Sequence, residues 1–488
     1  MASNTVFSLA SAPLAMHYLS NDECGLWTLA LQATSYLLLL DAGISAAVGR
    51  YLIDYKDNKE GGDYGSVIKT GCLVLVVQGA CIAVGGSLLA WFLPALCNVP
   101  PSFVFVFRVL VAGQCLLTGV FFLSRILMGL LQAHHRFDVM NYSQIGQLAV
   151  TFGVQWITFH LGWGLYSLLA ATVAGQVFWA GYNLSCVISL RLFPEKNWGQ
   201  ASMKVFKEVF AYGKDLFLLT LGLQLLNYSQ VVIITRSEGP GAAWVWSTAT
   251  KAFQLAFQFV QRIFDFSGTA LGEMMVRGEQ EKLRRRYGDI LLLTASVAVF
   301  ATISVAVCNS SFVTVWLRGR VGWSRWNDAL MGVLILLNCV TRCQVGLSGY
   351  ARQVQTMRWV YFLEGASFAV VAFALAPYFG IPGIIVVAIV ADLACSGAYG
   401  FRWASRYLGV SLREIGCGWL KPAGRYLLVM APLAAATALA TLKLAPLPRL
   451  LTSSVSLLVV GLPLLWRLGL TEELRGDLKT ALARLRGQ

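Results

Sequence analysis

The chain has 488 residues, of which 57% are hydrophobic and only 13% are charged. In soluble domains roughly a quarter of the residues are charged, so this composition excludes an ordinary soluble protein. The net charge of +14 would suit a nucleic-acid-binding protein, but the positions of the basic residues exclude that class.

Apolar segments of about 20 residues recur along the whole chain. This is the length of a helix that crosses the hydrocarbon of a bilayer. They predict an all-α polytopic membrane protein with about fourteen transmembrane helices. In chain order the predicted spans are 3–18, 25–52, 66–93, 102–131, 140–160, 163–190, 209–235, 243–268, 288–317, 327–349, 357–378, 382–406, 424–442 and 450–469. Most prolines fall between these spans or at their ends, where helix breakers belong.

Lysine and arginine predict the orientation of the spans. They concentrate in every second connection and at the C-terminus, in the clusters Arg50, Lys56, Lys59 and Lys69; Arg191, Lys196, Lys204, Lys207 and Lys214; Arg277, Lys282, Arg284, Arg285 and Arg286; Arg402, Arg406, Arg413, Lys421 and Arg425; and Arg467, Arg475, Lys479, Arg484 and Arg486. The exceptions in the other connections are Arg318, Arg320 and Arg325, with Arg236, Lys443 and Arg449 as lesser ones. Because basic loops stay in the cytoplasm, we predict a bacterial-type cytoplasmic (inner) membrane protein with both termini cytoplasmic. The excess charge is thus explained by topology, and no nucleic-acid partner is expected.

Two halves of the chain follow the same pattern. A tryptophan near the start of a long span, at Trp27 and again at Trp244, is followed in each half by a charged loop and another span. We therefore predict two six-helix pseudo-repeat lobes, residues 1–192 and 215–410, joined by a cytoplasmic linker at 193–214. Residues 411–488 are predicted to hold two additional helices and a cytoplasmic tail.

The eighth span carries a polar stripe. Its polar residues follow each other at steps of three or four, so they share one face of a helix: Ser247, Lys251, Gln254, Gln258, Arg262 and Asp265. A charge at the bilayer centre costs about 3 kcal/mol even on insertion scales. The stripe is therefore expected to face water, which predicts a transporter with a cationic central cavity. An ion pair of Arg262 with Asp265 within the helix is the alternative.

Other spans add polar residues at helical spacing. The further cationic candidates for binding a substrate are Arg125, Arg342 and Arg108, and the predicted polar lining is Gln114, Thr118, Gln144, Gln147, Gln224, Asn227, Gln254 and Gln258. Amides and hydroxyls pair with sugar hydroxyls, and guanidinium groups pair with phosphate oxygens, so this lining suits a polyhydroxylated anion. For each amide, packing between helices stays an alternative.

Four acidic residues lie inside predicted spans: Asp41, Asp265, Glu364 and Asp392. They either bind a coupling ion or pair with the buried arginines, and for Asp41 we favour pairing. The histidines and cysteines show no metal-ligand spacing, and no phosphate-binding loop or nucleophile motif is visible. We therefore predict no enzyme, no metal and no cofactor.

The run from Gly25 to Ala30, the apolar residues that follow, and Asp41-Ala42-Gly43-Ile44 with Arg50 beyond resemble the start of polysaccharide-transport flippases. This family belongs to the superfamily of multidrug exporters, lipid-linked oligosaccharide flippases and the lipid II flippase. The segment 243–273 is similar to its repeat. Two features depart from the family: the first helix lacks basic residues, and Asn227 to Gln230 stand where many relatives have an acidic residue.

The resemblance implies export of an undecaprenyl-diphosphate-linked oligosaccharide, a polysaccharide or O-antigen-type precursor, across the cytoplasmic membrane. Such a headgroup cannot cross hydrocarbon unaided because its polar groups would lose their hydrogen bonds. Alternating access through the cationic cavity is the expected mechanism. The expected partners are this lipid-linked anionic oligosaccharide, membrane lipids, and polysaccharide polymerases or glycosyltransferases. The alternatives are a multidrug or cation antiporter of the same superfamily, and a non-transporting membrane scaffold for polysaccharide assembly.

Overall fold

A computed structural model describes residues 2–41, 44–55, 62–194, 197–351 and 354–486. All regular secondary structure in these ranges is helical, and eight helices are long and apolar enough to cross a membrane. The predicted all-α, multi-pass membrane fold is thereby confirmed. Several residues of the sequence analysis lie outside the described residues, namely Ala42, Gly43, Lys56, Lys59 and Lys196, as do the side chains of Arg50, Lys204, Lys214, Arg484 and Arg486.

The helices follow the predicted spans closely. In chain order they are α1 (Ala2–Tyr18), α2 (Asn21–Leu37), α3 (Ile44–Tyr55), α4 (Asp63–Leu96), α5 (Val104–Phe121), α6 (Arg125–Ala133), α7 (Phe137–His160), α8 (Tyr166–Ser189), α9 (Met203–Glu238), α10 (Pro240–Ala249), α11 (Lys251–Arg277), α12 (Gln280–Trp316), α13 (Arg325–Tyr350), α14 (Val354–Asp392), α15 (Ala398–Leu408), α16 (Lys421–Ala440), α17 (Pro446–Leu464) and α18 (Glu472–Arg486). Helix α14 contains the eleventh predicted span and the first part of the twelfth, and it is interrupted at Gly380, where φ is +58° and ψ is −151°. Only glycine adopts such a conformation at low cost, which explains the turn between the two spans.

Four predicted spans are each divided into two helices. The second is broken by the 3₁₀ turn Leu38–Asp41, the fourth by Phe122–Ser124, the eighth at Thr250 and the twelfth by the π-helical turn Leu393–Gly397. Hydroxyl groups stand at two of these breaks: Ser124 Oγ donates to the carbonyl of Phe121, and Thr250 Oγ1 donates to the carbonyl of Trp246. Such bonds compete with the regular ladder of the helix and bend it. None of the breaks carries a proline, so the sequence analysis did not predict them.

The chain divides into two compact units, Met1–Trp244 and Val245–Gln488. In the first unit α4 packs along α5, α7 packs along α8, and α9 packs against α2, α3 and α4. Because of these contacts α9 belongs to the first unit, and the linker at 193–214 stays a prediction. The assignment of the two halves as pseudo-repeats stays a prediction.

Helices α4 and α5 approach each other very closely through glycines. A Cβ atom added to Gly79 would lie 2.4 Å from the carbonyl oxygen of Gly119, and one on Gly86 would lie 2.1 Å from the Cβ of Cys115. Both distances are far below van der Waals contact. Small residues that let backbones touch are the main source of tight helix packing in membranes, so these glycines hold the first unit together.

In the second unit α12 is the central helix, and it packs against α11, α13, α16 and α17. Its buried Tyr287 hydroxyl donates to the Gln344 side-chain oxygen at 2.9 Å and so ties α12 to α13. Helix α18 attaches to the start of α12 through Arg285–Glu473 at 3.1 Å and Arg286–Asp477 at 2.7 Å. The C-terminal helix α18 therefore lies at the end of the second unit where the basic first turns of α12 are found.

Candidate functional site

An ion pair joins the two broken helices of the first unit. Asp41 ends the 3₁₀ turn after α2, Arg125 begins α6, and the guanidinium Nη1 lies 3.1 Å from Asp41 Oδ2. The side chains are 33% exposed for Arg125 and 19% exposed for Asp41. The pair is thus half-buried. Each of its two members lies directly at a helix break that the sequence does not predict.

Further contacts hold each member of the pair in place. Asp41 Oδ1 accepts from the Ser45 backbone N–H at 3.1 Å and from its hydroxyl at 2.6 Å, at the start of α3. A carboxylate in this position is stabilised by the positive end of the helix dipole. Arg125 lies over the Phe122 ring, with Cζ 4.2 Å from its centroid, and Gln78 donates to the Leu40 carbonyl at 2.6 Å. The charge of Arg125 is therefore largely compensated within the protein, while its role toward a ligand stays a proposal.

The polar stripe of the second unit lies on α11. Lys251 is the first residue of the helix and is half-buried, as is Arg262, whereas Gln254 and Gln258 are exposed. Ser247 belongs to α10, on the other side of the break at Thr250. The opposite face of α11 is buried through Phe253, Val260 and Phe264. The stripe therefore points away from the apolar core of its own unit.

Arg342 lies on α13, which packs directly against α11, and its side chain is exposed. The Gln261 amide, on the buried side of α11, donates to the Cys339 carbonyl at 3.5 Å and connects the two helices. Arg342 and Asp265 both act electrostatically on the Tyr350 hydroxyl. This common neighbour places Arg342 near the Asp265 end of the polar face.

The acidic residues Glu364 and Asp392 form a buried cluster through one serine. The Ser396 backbone N–H donates to Glu364 Oε2 at 3.1 Å, and its hydroxyl donates to Asp392 Oδ1 at 3.0 Å. Thr341 on α13 donates to Asp392 Oδ2 at 3.1 Å. Ser396 lies in the π-helical turn Leu393–Gly397, which directs both of its donors toward the carboxylates. Within the described part of the chain, neither carboxylate has a lysine or arginine nitrogen within 4.0 Å.

The remaining candidates are spread over both units. Gln114 is buried, and the Thr118 hydroxyl bonds the Gln114 carbonyl at 2.8 Å on their own helix. The Asn227 amide likewise bonds the Leu223 carbonyl of α9 at 2.7 Å. Gln147 and Gln224 are half-buried and Gln144 is exposed. Arg108 lies 4.2 Å over the Trp91 ring, a cation–π contact within the first unit.

The sequence and the architecture of this protein are both similar to those of known proteins. The profile of a family described as polysaccharide biosynthesis protein matches residues 18–329. A search of curated proteins gave no match. An inward-facing multidrug resistance MATE family transporter of the MOP superfamily is similar in structure, with a TM-score of 0.66 and 14% identity over 84% of this chain and 95% of that chain.

Two other solved structures have the same architecture. The lipid II flippase MurJ in an inward closed conformation has a TM-score of 0.58 and 10% identity, over 93% of this chain and 97% of that chain. A MOP superfamily transporter from Pyrococcus furiosus has a TM-score of 0.58 and 12% identity, over 84% and 93% of the two chains. At such identities the likeness shows the fold. The protein thus belongs to the polysaccharide biosynthesis protein family and has the fold of the MOP superfamily, to which the solved MATE transporters belong.

Proposed function

We propose that this protein is a flippase that carries a lipid-diphosphate-linked oligosaccharide across the cytoplasmic membrane by alternating access. The observation that carries the proposal is the polar face of α11, on which Lys251 and Arg262 lie opposite a buried apolar face. Membership of the polysaccharide biosynthesis family supports a glycan precursor as substrate, and the fold supports transport. MurJ is named as a flippase of lipid II, and the proposal extends that class of substrate to this chain.

The chemistry of this face fits a sugar-diphosphate headgroup. The planar guanidinium of Arg262 binds two phosphate oxygens at once, whereas the Lys251 ammonium acts as a point charge. Gln254 and Gln258 lie on the same face and offer amide donors and acceptors for sugar hydroxyls. Eleven residues separate the two cations, which corresponds to roughly 16 Å along a helix. Because this length exceeds that of one diphosphate group, we infer that the two cations bind the headgroup in succession.

The transport test uses vesicles that contain the purified protein and a fluorescent undecaprenyl-diphosphate-linked oligosaccharide. Lys251→Gln and Arg262→Gln are each expected to lower the initial rate of translocation by about 10- to 100-fold, since a hydrogen bond to a charged group contributes about 1.5–3 kcal/mol. The control is Arg277→Gln, because Arg277 lies at the end of the same helix, is exposed and pairs with Glu273. This control is expected to keep the wild-type rate.

The alternatives give different results in the same vesicles. Undiminished translocation in both the Lys251 and Arg262 variants contradicts the role of the cationic face. Uptake of a cationic dye by the wild type, increased in Lys251→Gln, indicates the antiporter. A wild type that moves neither compound indicates the scaffold.

Glu364 and Asp392 stay proposed ion-coupling residues. The proposal fails for Glu364 if Glu364→Gln keeps the response of the translocation rate to an imposed proton or sodium gradient.

The proposed orientation is tested separately. Both termini are proposed to be cytoplasmic, so an accessibility tag inserted at the exposed Lys282 in the first turn of α12 is expected to be labelled from the cytoplasm. A tag at Arg318, after α12, is expected to be labelled from the opposite side. Labelling of both tags from one side contradicts the predicted crossing by α12.

A further inference from the structure

Arg449 is one of the basic residues that depart from the loop-charge pattern, and the structure places it in the first turn of α17. The residue is only 7% exposed, and its Nε has no hydrogen-bond partner. No carboxylate of the described residues lies within 4.0 Å of its guanidinium nitrogens. A buried charge without a partner is costly, so the protein alone does not account for this arginine.

The charged neighbour of Arg449 has the same sign. Arg325, the exposed first residue of α13, acts on Arg449 as a like charge, and the other titratable neighbour is Cys308 of α12, whose thiol lies 3.4 Å from the Ser454 hydroxyl. The nearest acid along α13 is Asp328, but it does not act on Arg449. Asp328 acts on Arg325 instead, so among the described residues Arg449 has a like-charged neighbour and no acidic one, and its charge requires a counter-ion from outside these residues.

One oxygen of the Asp328 carboxylate is held by other partners, while its Oδ2 has no hydrogen-bond partner. Its Oδ1 accepts from the Asn309 amide at 2.6 Å and from the Trp323 indole N–H at 2.7 Å. These two bonds hold the carboxylate against Asn309 of α12 and Trp323 of the α12–α13 connection. It therefore cannot turn toward Arg449 without leaving two donors unpaired.

The surroundings of the two arginines are those of a membrane interface. Trp326 follows Arg325 directly and is 77% exposed, and Leu447 and Leu451 on α17 are exposed as well. Exposed tryptophan next to exposed aliphatic side chains is typical of the depth at which lipid headgroups meet acyl chains. Pro446 and Pro448, in the same turn as Arg449, have no backbone N–H. Of the backbone N–H groups left in this turn, that of Arg449 donates to the Ala445 carbonyl at 2.9 Å, so the charged donors here are the guanidinium groups.

We propose that Arg449 and Arg325 form a binding site for the phosphate group of a membrane lipid, at the end of the second unit that bears the α12–α13 and α16–α17 connections. The guanidinium forks bind the phosphate oxygens, and the acyl or prenyl chain lies along the exposed Leu447 and Leu451. The lipid thereby supplies the counter-ion that the described residues do not offer to Arg449. Two sources share this chemistry, a bilayer phospholipid and a polyprenyl diphosphate. The site is separate from the α11 face and does not depend on which glycan is carried.

The test measures thermal unfolding of the full-length protein in lipid-depleted detergent, with titration of dioleoylphosphatidylglycerol, undecaprenyl diphosphate or dioleoylglycerol. A phosphate lipid is expected to raise the Tm of the wild type, and dioleoylglycerol is not. In Arg449→Met the Tm without lipid is expected to equal or exceed that of the wild type, because a buried unpaired charge is removed. The apparent affinity for the phosphate lipid is expected to fall by about tenfold or more in this variant. The control Lys443→Gln removes an exposed cation of the α16–α17 connection and is expected to keep the full response.

Each outcome decides the proposal. A response to phosphatidylglycerol alone assigns the phosphate to the bilayer, and competition by undecaprenyl diphosphate assigns it to the transported lipid. The proposal is wrong if the wild type does not respond, if dioleoylglycerol acts as strongly, or if Arg449→Met responds like the wild type. Should Arg449→Met fail to fold, the exposed Arg325→Gln decides in the same way through a reduced response. No transport is measured, so failure here leaves the proposed flippase activity untouched.

Discussion

Replacing Gly79 with alanine is expected to destabilise the first unit by about 3 kcal/mol or more, and replacing it with leucine is expected to prevent folding. The added Cβ would lie 2.4 Å from the carbonyl oxygen of Gly119. The obstacle is backbone, which cannot rotate away as a side chain can, so α4 and α5 must separate along their whole contact. Thermal unfolding and size-exclusion profiles of the detergent-purified protein measure the effect.

Gly85 provides a matched control on the same helix. A Cβ there has Leu37 Cδ2 at 3.8 Å as its nearest neighbour, an ordinary van der Waals distance. Alanine in a helix interior is favoured over glycine by about 0.5–1 kcal/mol, so Gly85→Ala is expected to unfold at or above the wild-type temperature. Equal Tm values for Gly79→Ala and Gly85→Ala would refute the close approach of α4 and α5.

The second large effect concerns the ion pair of the first unit. Arg125→Gln leaves the Asp41 carboxylate with the Ser45 donors alone, and Asp41→Asn leaves Arg125 without an anion. Removing one member of a buried pair costs about 3–5 kcal/mol, and the lower end applies here because Arg125 is 33% exposed. The double variant Asp41→Asn with Arg125→Gln has no uncompensated charge and is expected to recover at least half of the loss. A double-mutant cycle of Tm values measures the coupling.

The exposed pair Arg136–Asp138 is the control for this cycle. Its N–O distance of 2.8 Å is even shorter than the 3.1 Å of Arg125–Asp41, but its side chains are 37% and 51% exposed. Exposed pairs are screened by water and salt, so the same cycle on Arg136 and Asp138 is expected to show clearly weaker coupling, although the contact is bidentate. Comparable coupling in the two cycles would mean that burial does not decide the strength of the Arg125 pair.

The same three variants separate two roles for Arg125. If the arginine serves mainly to hold Asp41 and the two helix breaks, the double variant recovers the translocation that both single variants lose, and this is the outcome we expect. If Arg125 binds the headgroup, translocation stays low in Arg125→Gln and in the double variant alike. Lys251→Gln differs from both, because its loss is expected without a change in Tm.

Much of the fold and part of the candidate site follow from the sequence. Hydropathy and helical periodicity are properties of neighbouring residues, so they predict where the chain crosses the membrane and which side chains share a face of α11. The turn at Gly380 lies between two predicted spans, as hydropathy indicates. On α11, Lys251 and Arg262 lie opposite the buried Phe253 and Phe264, as the periodicity indicates.

Other features depend on residues from distant helices meeting in space. The breaks at Phe122–Ser124 and Thr250 occur without proline, the partner of Arg125 lies on another broken helix, and Ser396 joins Glu364 to Asp392 through a π-helical turn. By itself the sequence determined the all-helical, multi-pass fold, the charge pattern and the polar face, because each is encoded within a few turns of one helix. Only the tertiary structure decided which charges are compensated, as for Arg125 by Asp41, and which lack a carboxylate among the described residues, as for Arg449. The reason is that compensation depends on distances of a few ångströms between helices, which no local pattern records.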